Sequence, residues 1–204
     1  QTVKTHGNRS AFADEKSSIS FLELKNGAES VGSFLLEKIS GCVPVAFYLE
    51  KSTIAIRGMF GAVYAGGFYS IIDVRQPVLR AEQVLSVLKP AVILTDKANY
   101  EKSTSLNCEA ECFCIEDILD FPVKHEELEK SAAMIQDTQP LYVNFTSGST
   151  GIPKGVTVCH RSVLEFIEKF TKIFGIRPDD VIGNQAPFDF DVSVKDIYSA
   201  LFVG

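Results

Sequence analysis

Residues 43–72 read VPVAFYLEKSTIAIRGMFGAVYAGGFYSII, and this stretch decides the fold. Its first seven residues form an apolar run of strand length. A mostly apolar helical segment follows at residues 53–67 and ends at the Gly66-Gly67 pair, which leads into the strand FYSII. Such alternation of strand and helix predicts a parallel sheet covered by helices on both faces.

The same alternation continues on both sides of this stretch. Before it, the pattern predicts a hairpin over residues 10–21 and an amphipathic helix over 22–39. After it we predict helices at 79–88, 162–174 and 192–202, and strands at 91–95, 141–145, 156–159 and 181–186. Residues 96–139 are more polar and are predicted to connect these elements over the surface, with a strand at 111–115. The expected fold class is therefore α/β, with all 204 residues in one unit.

Composition excludes several classes of partner. The net charge of −6 provides no basic surface of the kind that nucleic acid or an anionic membrane requires, so we expect neither as a partner. The longest apolar stretch, residues 59–72, contains three glycines and is too short to span a bilayer. A polar beginning without a signal peptide and five scattered cysteines predict a cytoplasmic protein with reduced thiols. Because the chain begins with Gln1 and stops after an apolar helical pattern, we expect it to be a piece of a longer protein.

One cluster offers a metal site as an alternative. Cys108, Cys112 and Cys114, together with His125, include the residue types that bind zinc. Their spacing is C-x3-C-x-C, without the paired C-x2-C knuckles of structural zinc sites. We therefore expect no metal ligand among them.

The loop at residues 146–155, TSGSTGIPKG, carries the chemistry. It holds four hydroxyl residues, three glycines and one lysine, and it follows a predicted strand. Glycines let successive backbone amides point at one spot, hydroxyls add donors, and Lys154 supplies positive charge, so the loop is suited to an anion such as two linked phosphates.

Two other interpretations of this loop stay open from composition alone. A Walker-type P-loop needs G-x4-G-K-[ST] opening into a helix, whereas here Pro153 stands at the second glycine position and Gly155 follows the lysine. A Gly/Ser turn that binds no ligand is the second alternative, although an ordered strand is predicted on each side.

The string YVNFTSGSTGIPKGVTVCHRSV resembles the phosphate-binding signature of the adenylate-forming superfamily, which contains acyl-CoA ligases, luciferases and peptide-synthetase adenylation domains. ISFLEL at residues 19–24 and the run at residues 64–96, with Gly66, Gly67, Asp73, Pro77 and Arg80 in register, resemble two further signatures of that family. The resemblance implies the N-terminal half of the adenylate-forming fold, with its parallel sheets covered by helices. It also implies that the loop binds the ATP phosphates through Thr146, Ser147, Gly148, Ser149, Thr150, Gly151 and Lys154.

Residues 184–198, NQAPFDFDVSVKDIY, resemble the substrate-binding signature of amino-acid-activating members, in particular ligases that load D-alanine onto a carrier protein. By that resemblance Asp191 pairs with the α-ammonium of the substrate, in a pocket walled by Phe188 and Phe190, through a charge-assisted bond. From the residues alone, the better interpretation of Asp191 is the cap of the helix that begins near Val192, and only the family resemblance favours the substrate role. Asp189 and Asp196 are expected to be solvated or capping carboxylates.

Val192 and Lys195 match positions that line the side-chain pocket in this family. Lys195 is unusual, since relatives commonly carry tryptophan or methionine there. A lysine suits an acidic substrate side chain, or it folds back onto Asp191 or Asp196 and narrows the pocket. We therefore expect a small or acidic amino acid, D-alanine being one example. His160 also matches a family position and is interpreted as structural.

The resemblance implies the function of the full-length protein. The amino acid reacts with ATP, with Mg²⁺ bridging the phosphates, to give an aminoacyl-adenylate, and the acyl group then passes to the phosphopantetheine thiol of a carrier protein. The family's C-terminal half, its lid domain and the catalytic lysine have no counterpart in residues 1–204, so the chain is expected to contain no catalytic residue and to be inactive alone. The alternatives are an aryl or fatty acyl-CoA ligase and a noncatalytic nucleotide-binding module.

Overall fold

A computed structural model describes residues 2–147 and 151–204, and in these residues a mixed six-stranded sheet is packed between helices. Elements are numbered in chain order. The strands are β1 Ser10–Ala13, β2 Ser18–Ser20, β3 Pro44–Tyr48, β4 Phe68–Ile72, β5 Val92–Thr95, β6 Glu111–Cys114, β7 Pro140–Thr146 and β8 Lys154–Cys159. The helices are α1 Thr2–His6, α2 Phe21–Leu35, α3 Thr53–Tyr64, α4 Val78–Leu88, α5 Tyr100–Thr104, α6 Ile115–Ile118, α7 His125–Met134, α8 His160–Phe174 and α9 Val192–Val203.

The large sheet has the strand order β6-β5-β3-β4-β7-β8, and β1 and β2 form a separate antiparallel hairpin. Strands β3 to β7 are parallel to one another, which confirms the predicted parallel sheet. Strand β8 is antiparallel to β7. Its direction follows from the connection of only seven residues, 147–153, because a parallel crossover needs roughly a dozen or more residues.

Local sequence explains where the central helices begin and end. Ser20 caps α2 through the backbone amide of Glu23, and the Glu23 side chain bonds back to the Ser20 amide in a full capping box. Ser52 caps α3 in the same way by accepting from the amide of Ala55. After α3 the chain turns at Gly66, whose φ of +84° is a conformation that favours glycine.

Two apolar layers enclose the sheet, as the run of residues 43–49 predicts. Alternate side chains of β3 face opposite sides, so Val45 and Phe47 join the larger cluster, with α2 and α3, whereas Ala46 and Tyr48 join the smaller one, with α4. All four side chains are fully buried. The coverage is incomplete at the edge strand β8, whose first four residues are exposed.

The structure corrects two predictions and adds short elements. Residues 96–139 do not merely connect other elements over the surface, because β6 extends the sheet beside β5 and α7 packs on α2. Residues 181–186, predicted as a strand, form none in the described chain. The carbonyl oxygens of Asn184 and Gln185 accept hydrogen bonds from the side chain of Lys51 instead. The sequence patterns also missed the short helices α1, α5 and α6.

Candidate functional site

The carboxyl ends of β3, β4 and β7 lie at the same edge of the sheet, because these three strands are parallel. In open α/β sheets, ligands bind in the crevice outside this edge. Here the chain leaves β7 at Thr146 and β4 at Ile72, so the predicted phosphate loop and the turn at residues 73–77 both start from it.

Thr146 and Lys154 stand at the two ends of the predicted phosphate loop. Thr146 ends β7, Lys154 begins β8, and the two are Cα partners across the hairpin. Both side chains are exposed, as are Ser147 and Gly151. Gly151 has a φ of +80°, a conformation that glycine adopts without strain. The remaining predicted phosphate ligands, Gly148, Ser149 and Thr150, lie outside the described residues.

The base of this hairpin is tightly packed. Gly155 lies opposite Phe145 in the pairing, and a Cβ added to it would stand 3.0 Å from Cγ1 of Val143 and 3.3 Å from the Phe145 ring. Pro153, at the end of the loop, is buried. The strands therefore fix the positions from which the loop departs.

The predicted substrate segment is tied to the same edge of the sheet. Lys51, three residues beyond β3, donates from Nζ to the carbonyl oxygens of Asn184 at 3.0 Å and Gln185 at 3.3 Å. Gln76, in the turn after β4, donates from Nε2 to Oδ2 of Asp189 at 2.7 Å. These contacts hold residues 184–189 across the sheet edge instead of in a strand.

Asp191 occupies the N-cap position of α9, but its side chain makes no capping hydrogen bond in the described part of the chain. The side chain is exposed. Burial, and then the negative charge of Asp191, raise the pKa of Tyr142 in β7, which places this charge near the sheet. The position of Asp191 at the start of α9 favours a capping role. Because its side chain makes no capping hydrogen bond among the described residues, however, the carboxylate is available to bind a ligand.

The aromatic neighbours of Asp191 differ from each other. Phe188 packs against the larger apolar cluster, but Phe190 is 59% exposed. Within the described residues, Phe190 therefore forms no closed wall of a pocket. Val192 is also 49% exposed, on the first turn of α9.

Lys195 folds back onto Asp196 and does not bond Asp191. Of the two carboxylates predicted as its partner, the structure therefore shows Asp196. The distance from Nζ of Lys195 to Oδ1 of Asp196 is 2.5 Å, and Asn184 donates from Nδ2 to Oδ2 of Asp196 at 3.0 Å. Asp196 is buried, so the prediction of a solvated or capping carboxylate is wrong for this residue.

Asp189 also differs from the solvated carboxylate predicted for it. Its Oδ1 is buried without a hydrogen-bond partner among the described residues. Burial raises the pKa of Asp189, the nearby charge of Asp73 adds to this effect, and the hydrogen bond from Gln76 partly offsets it. Asp73 itself is bonded by Arg75, whose hydrogen bonds lower the pKa of Asp73.

Asn144 is a candidate site residue that the sequence patterns missed. It lies on β7 between Tyr142 and Thr146, on the same face of the strand. Its Nδ2 is buried and has no partner among the described residues. The available signal was an amide within an otherwise apolar strand, where a buried polar group normally has a partner.

The remaining titratable candidates from the sequence are His160 and the cysteines. Burial lowers the pKa of His160, which begins α8, and the charge of Asp137 partly offsets this. Within residues 2–147 and 151–204, no group of three or more His, Cys, Asp or Glu side chains is arranged to hold a metal ion. All five cysteines are free thiols. Among the helices of the described chain, none combines the length and apolarity needed to cross a bilayer.

Comparison with known proteins shows the family and supports the fold. The sequence model of the family described as AMP-binding enzyme matches residues 1–204. D-alanine--D-alanyl carrier protein ligase of Listeria innocua is 31% identical over 189 residues, which cover 91% of this chain and 37% of the ligase. A linear gramicidin synthase of Brevibacillus parabrevis is 30% identical over the whole chain, which corresponds to 4% of that protein.

Solved structures agree on the fold. The AMPPNP-bound form of the nonribosomal peptide synthetase FmoA3 superposes with a TM-score of 0.85 at 23% identity, covering all of this chain and 21% of that one. The chain spans 37% of the length of the curated ligases that it matches. Its sheet and helices thus correspond to one part of a larger known fold.

Proposed function

The chain belongs to the AMP-binding enzyme family, and from this membership we propose that the full-length protein activates an amino acid with ATP and transfers it to a carrier protein. The proposed product of the first step is an aminoacyl-adenylate, with release of pyrophosphate. The amino acid is small or acidic, and D-alanine is the first candidate because the matched curated ligases are named for it. Residues 1–204 are then the N-terminal part of the adenylation domain.

The observation that carries the proposal is the placement of two oppositely charged side chains. Lys154 stands at the mouth of the glycine-rich hairpin, and Asp191 presents an exposed carboxylate at the start of α9. Both lie on segments attached to the carboxyl edge of one sheet. The positive charge of Lys154 suits a triphosphate, and the negative charge of Asp191 suits the ammonium group of an amino acid.

In the proposed first half-reaction, a carboxylate oxygen of the amino acid attacks the α-phosphorus of ATP. The new bond joins this oxygen to phosphorus, and the bond from the α-phosphorus to the bridging oxygen breaks, so that pyrophosphate leaves. Lys154, the hydroxyls of Thr146 and Ser147, and the loop amides would stabilise the negative charge that grows on pyrophosphate. Asp191 would hold the ammonium group and thereby orient the attacking carboxylate.

In the second half-reaction, the phosphopantetheine thiol of the carrier attacks the acyl carbon and AMP leaves. Thr146, Ser147 and Lys154 would hold the phosphates of ATP, and the Mg²⁺ that accompanies ATP would supply further positive charge to neutralise them. The free thiols are consistent with the cytoplasmic location that we propose for the protein.

ATP–pyrophosphate exchange on the full-length protein tests the proposal. The panel contains D-alanine and L-alanine. It also contains glycine, aspartate, phenylalanine, benzoate and a fatty acid. We expect exchange with a small or acidic amino acid and none with the two acids that lack an ammonium group. Exchange with benzoate or the fatty acid alone identifies an acyl-CoA ligase, and no exchange with any compound favours a noncatalytic module.

A further inference from the structure

The lysine on the first turns of α9 lies beside the proposed ammonium site. Asp191 and Lys195 are four residues apart at the start of the helix, and side chains at this spacing are neighbours on one helix face. Lys195 is therefore close enough to influence what the proposed site accepts next to the α-ammonium group.

The charge of Lys195 is already compensated from within the protein. Its Nζ stands 2.5 Å from Oδ1 of Asp196, whose side chain is only 7% exposed. The second carboxylate oxygen of Asp196 accepts the amide of Asn184 at 3.0 Å. Both oxygens of this buried carboxylate thus have partners.

Two further contacts hold this arrangement in place. Lys51 donates from Nζ to the carbonyl oxygen of Asn184 at 3.0 Å, which fixes the residue that bonds Asp196. On the other side, the ammonium of Lys195 lies 6.0 Å from the centroid of the Phe170 ring in α8. Moving Lys195 toward a ligand would leave Asp196 buried with its charge uncompensated, which is costly.

The charges at the start of α9 then match one kind of substrate. Asp191 and Asp196 each carry one negative charge and Lys195 carries one positive charge, so the three together carry a net charge of −1. An amino acid brings one positive charge on its ammonium group, and its own carboxylate faces the phosphate in the proposed reaction. A second negative charge on the substrate side chain would meet no uncompensated cation here.

We infer that Asp196 sets the substrate class by holding Lys195, so that the site takes a small uncharged amino acid and rejects acidic ones. The inference rests on the proposed function and narrows it. Asp196 acts here as a positioning residue, since its effect on the substrate passes through Lys195.

Aspartate and asparagine, which have nearly the same shape and differ in charge, test the inference on the full-length protein. Each is measured in ATP–pyrophosphate exchange as a substrate and as a competitor of the alanine enantiomer that supports exchange. For the unmodified protein we expect kcat/KM to be at least about tenfold higher for asparagine than for aspartate, since one unpaired charge is worth about 1.4 kcal/mol or more.

The variant Asp196→Asn keeps an oxygen that can accept from Asn184 and releases Lys195 from its charge partner. We expect it to shift the aspartate-to-asparagine ratio toward aspartate by about tenfold or more. The double variant Asp196→Asn with Lys195→Met removes the released charge and should return the ratio to near its original value. This return is specific to a role through Lys195, and a merely structural role would not produce it.

The outcomes separate the inference from the function on which it rests. Exchange that prefers aspartate to asparagine in the unmodified protein, or an unchanged ratio in Asp196→Asn, overturns the inference and leaves amino-acid activation standing. Absence of exchange with every amino acid overturns both. Because the aspartate and asparagine comparison needs no variant, a preference for aspartate overturns the inference even where Asp196→Asn does not fold.

Discussion

Thr146 and Lys154 face each other as Cα partners where β7 and β8 open into the glycine-rich loop. This pairing fixes both ends of the loop on the sheet, at the edge where the parallel strands end. A lysine placed there can reach an anion in the loop without ordering a long flexible connection. We propose that its charge is thereby placed to stabilise the anion that develops on pyrophosphate.

Replacement of Lys154 by methionine should impair adenylation. It removes the charge and keeps most of the length of the side chain, so we expect kcat for ATP–pyrophosphate exchange to fall by about 10²-fold in the full-length protein. Steady-state kinetics with ATP varied will measure this. Lys169→Met, which changes an exposed lysine of α8, is the matched control and should leave kcat unchanged. A Lys154→Met variant with normal kcat would show that the loop binds no reacting phosphate.

Asp191→Asn should weaken the binding of the amino acid much more than the binding of ATP. The substitution keeps the shape of the side chain and removes the charge that we assign to the ammonium group. Hydrogen bonds to charged groups contribute about 1.5–3 kcal/mol, so KM for the amino acid should rise by roughly 10- to 100-fold. Glu165→Gln, on the exposed face of α8, is the control.

Thermal unfolding of Asp191→Asn separates binding from helix capping. Because the Asp191 side chain makes no capping hydrogen bond among the described residues, the melting temperature should stay unchanged within about one degree. A lower melting temperature with an unchanged KM would instead support the capping role.

Gly155→Ala should destabilise the hairpin that carries the loop. The added methyl would lie 3.0 Å from Cγ1 of Val143 and 3.3 Å from the Phe145 ring, so these side chains must shift by a few tenths of an ångström. Overpacking of this kind costs about 1–3 kcal/mol. Differential scanning calorimetry should show a Tm lower by roughly 2–10 °C. At Gly183 an added methyl meets nothing within 4 Å, so Gly183→Ala should leave Tm nearly unchanged.

Local pattern was sufficient to predict most of the fold. In residues 43–72 the period of the apolar residues changes from strand to helix and back, and the observed elements differ from the predicted bounds by a few residues at most. The prediction failed at residues 181–186, which have the composition of a strand. Their conformation depends on Lys51, which donates hydrogen bonds to the carbonyl oxygens of Asn184 and Gln185. Because Lys51 is more than 130 residues away in the sequence, no local pattern predicts this contact.

The candidate site was only partly predictable for the same reason. The resemblance to the family motif predicts Lys154 and Asp191 as site residues, because it rests on glycines, hydroxyls and charges at a fixed spacing. The choice of Lys195 between Asp191 and Asp196 depended on which carboxylate the fold buries. The environment of Asp189 likewise depends on Gln76, 113 residues earlier in the chain, so a sequence pattern could not distinguish it from a solvated carboxylate.

Asp189→Asn should stabilise the protein at neutral pH. Burial, as the largest cause, raises the pKa of Asp189 in the folded state above the ordinary carboxyl value of 3.8. A carboxyl group whose pKa is raised by folding favours the fold while it is protonated. This contribution is lost as pH rises from about 4 through the folded-state pKa. At pH 7 the ionised group therefore opposes folding, and an amide, which carries no charge, does not.

The pH dependence of this effect distinguishes it from a simple gain in packing. Since the group is only half-buried, the stabilisation at pH 7 should be below about 1 kcal/mol, or a few degrees in Tm. Calorimetry at a series of pH values should show the difference between Asp189→Asn and the unmodified protein shrink as pH falls toward 4. Asp120→Asn, at an exposed carboxylate, should show no such trend. A difference that stays constant from pH 4 to pH 7 would mean that ionisation of Asp189 is not its source.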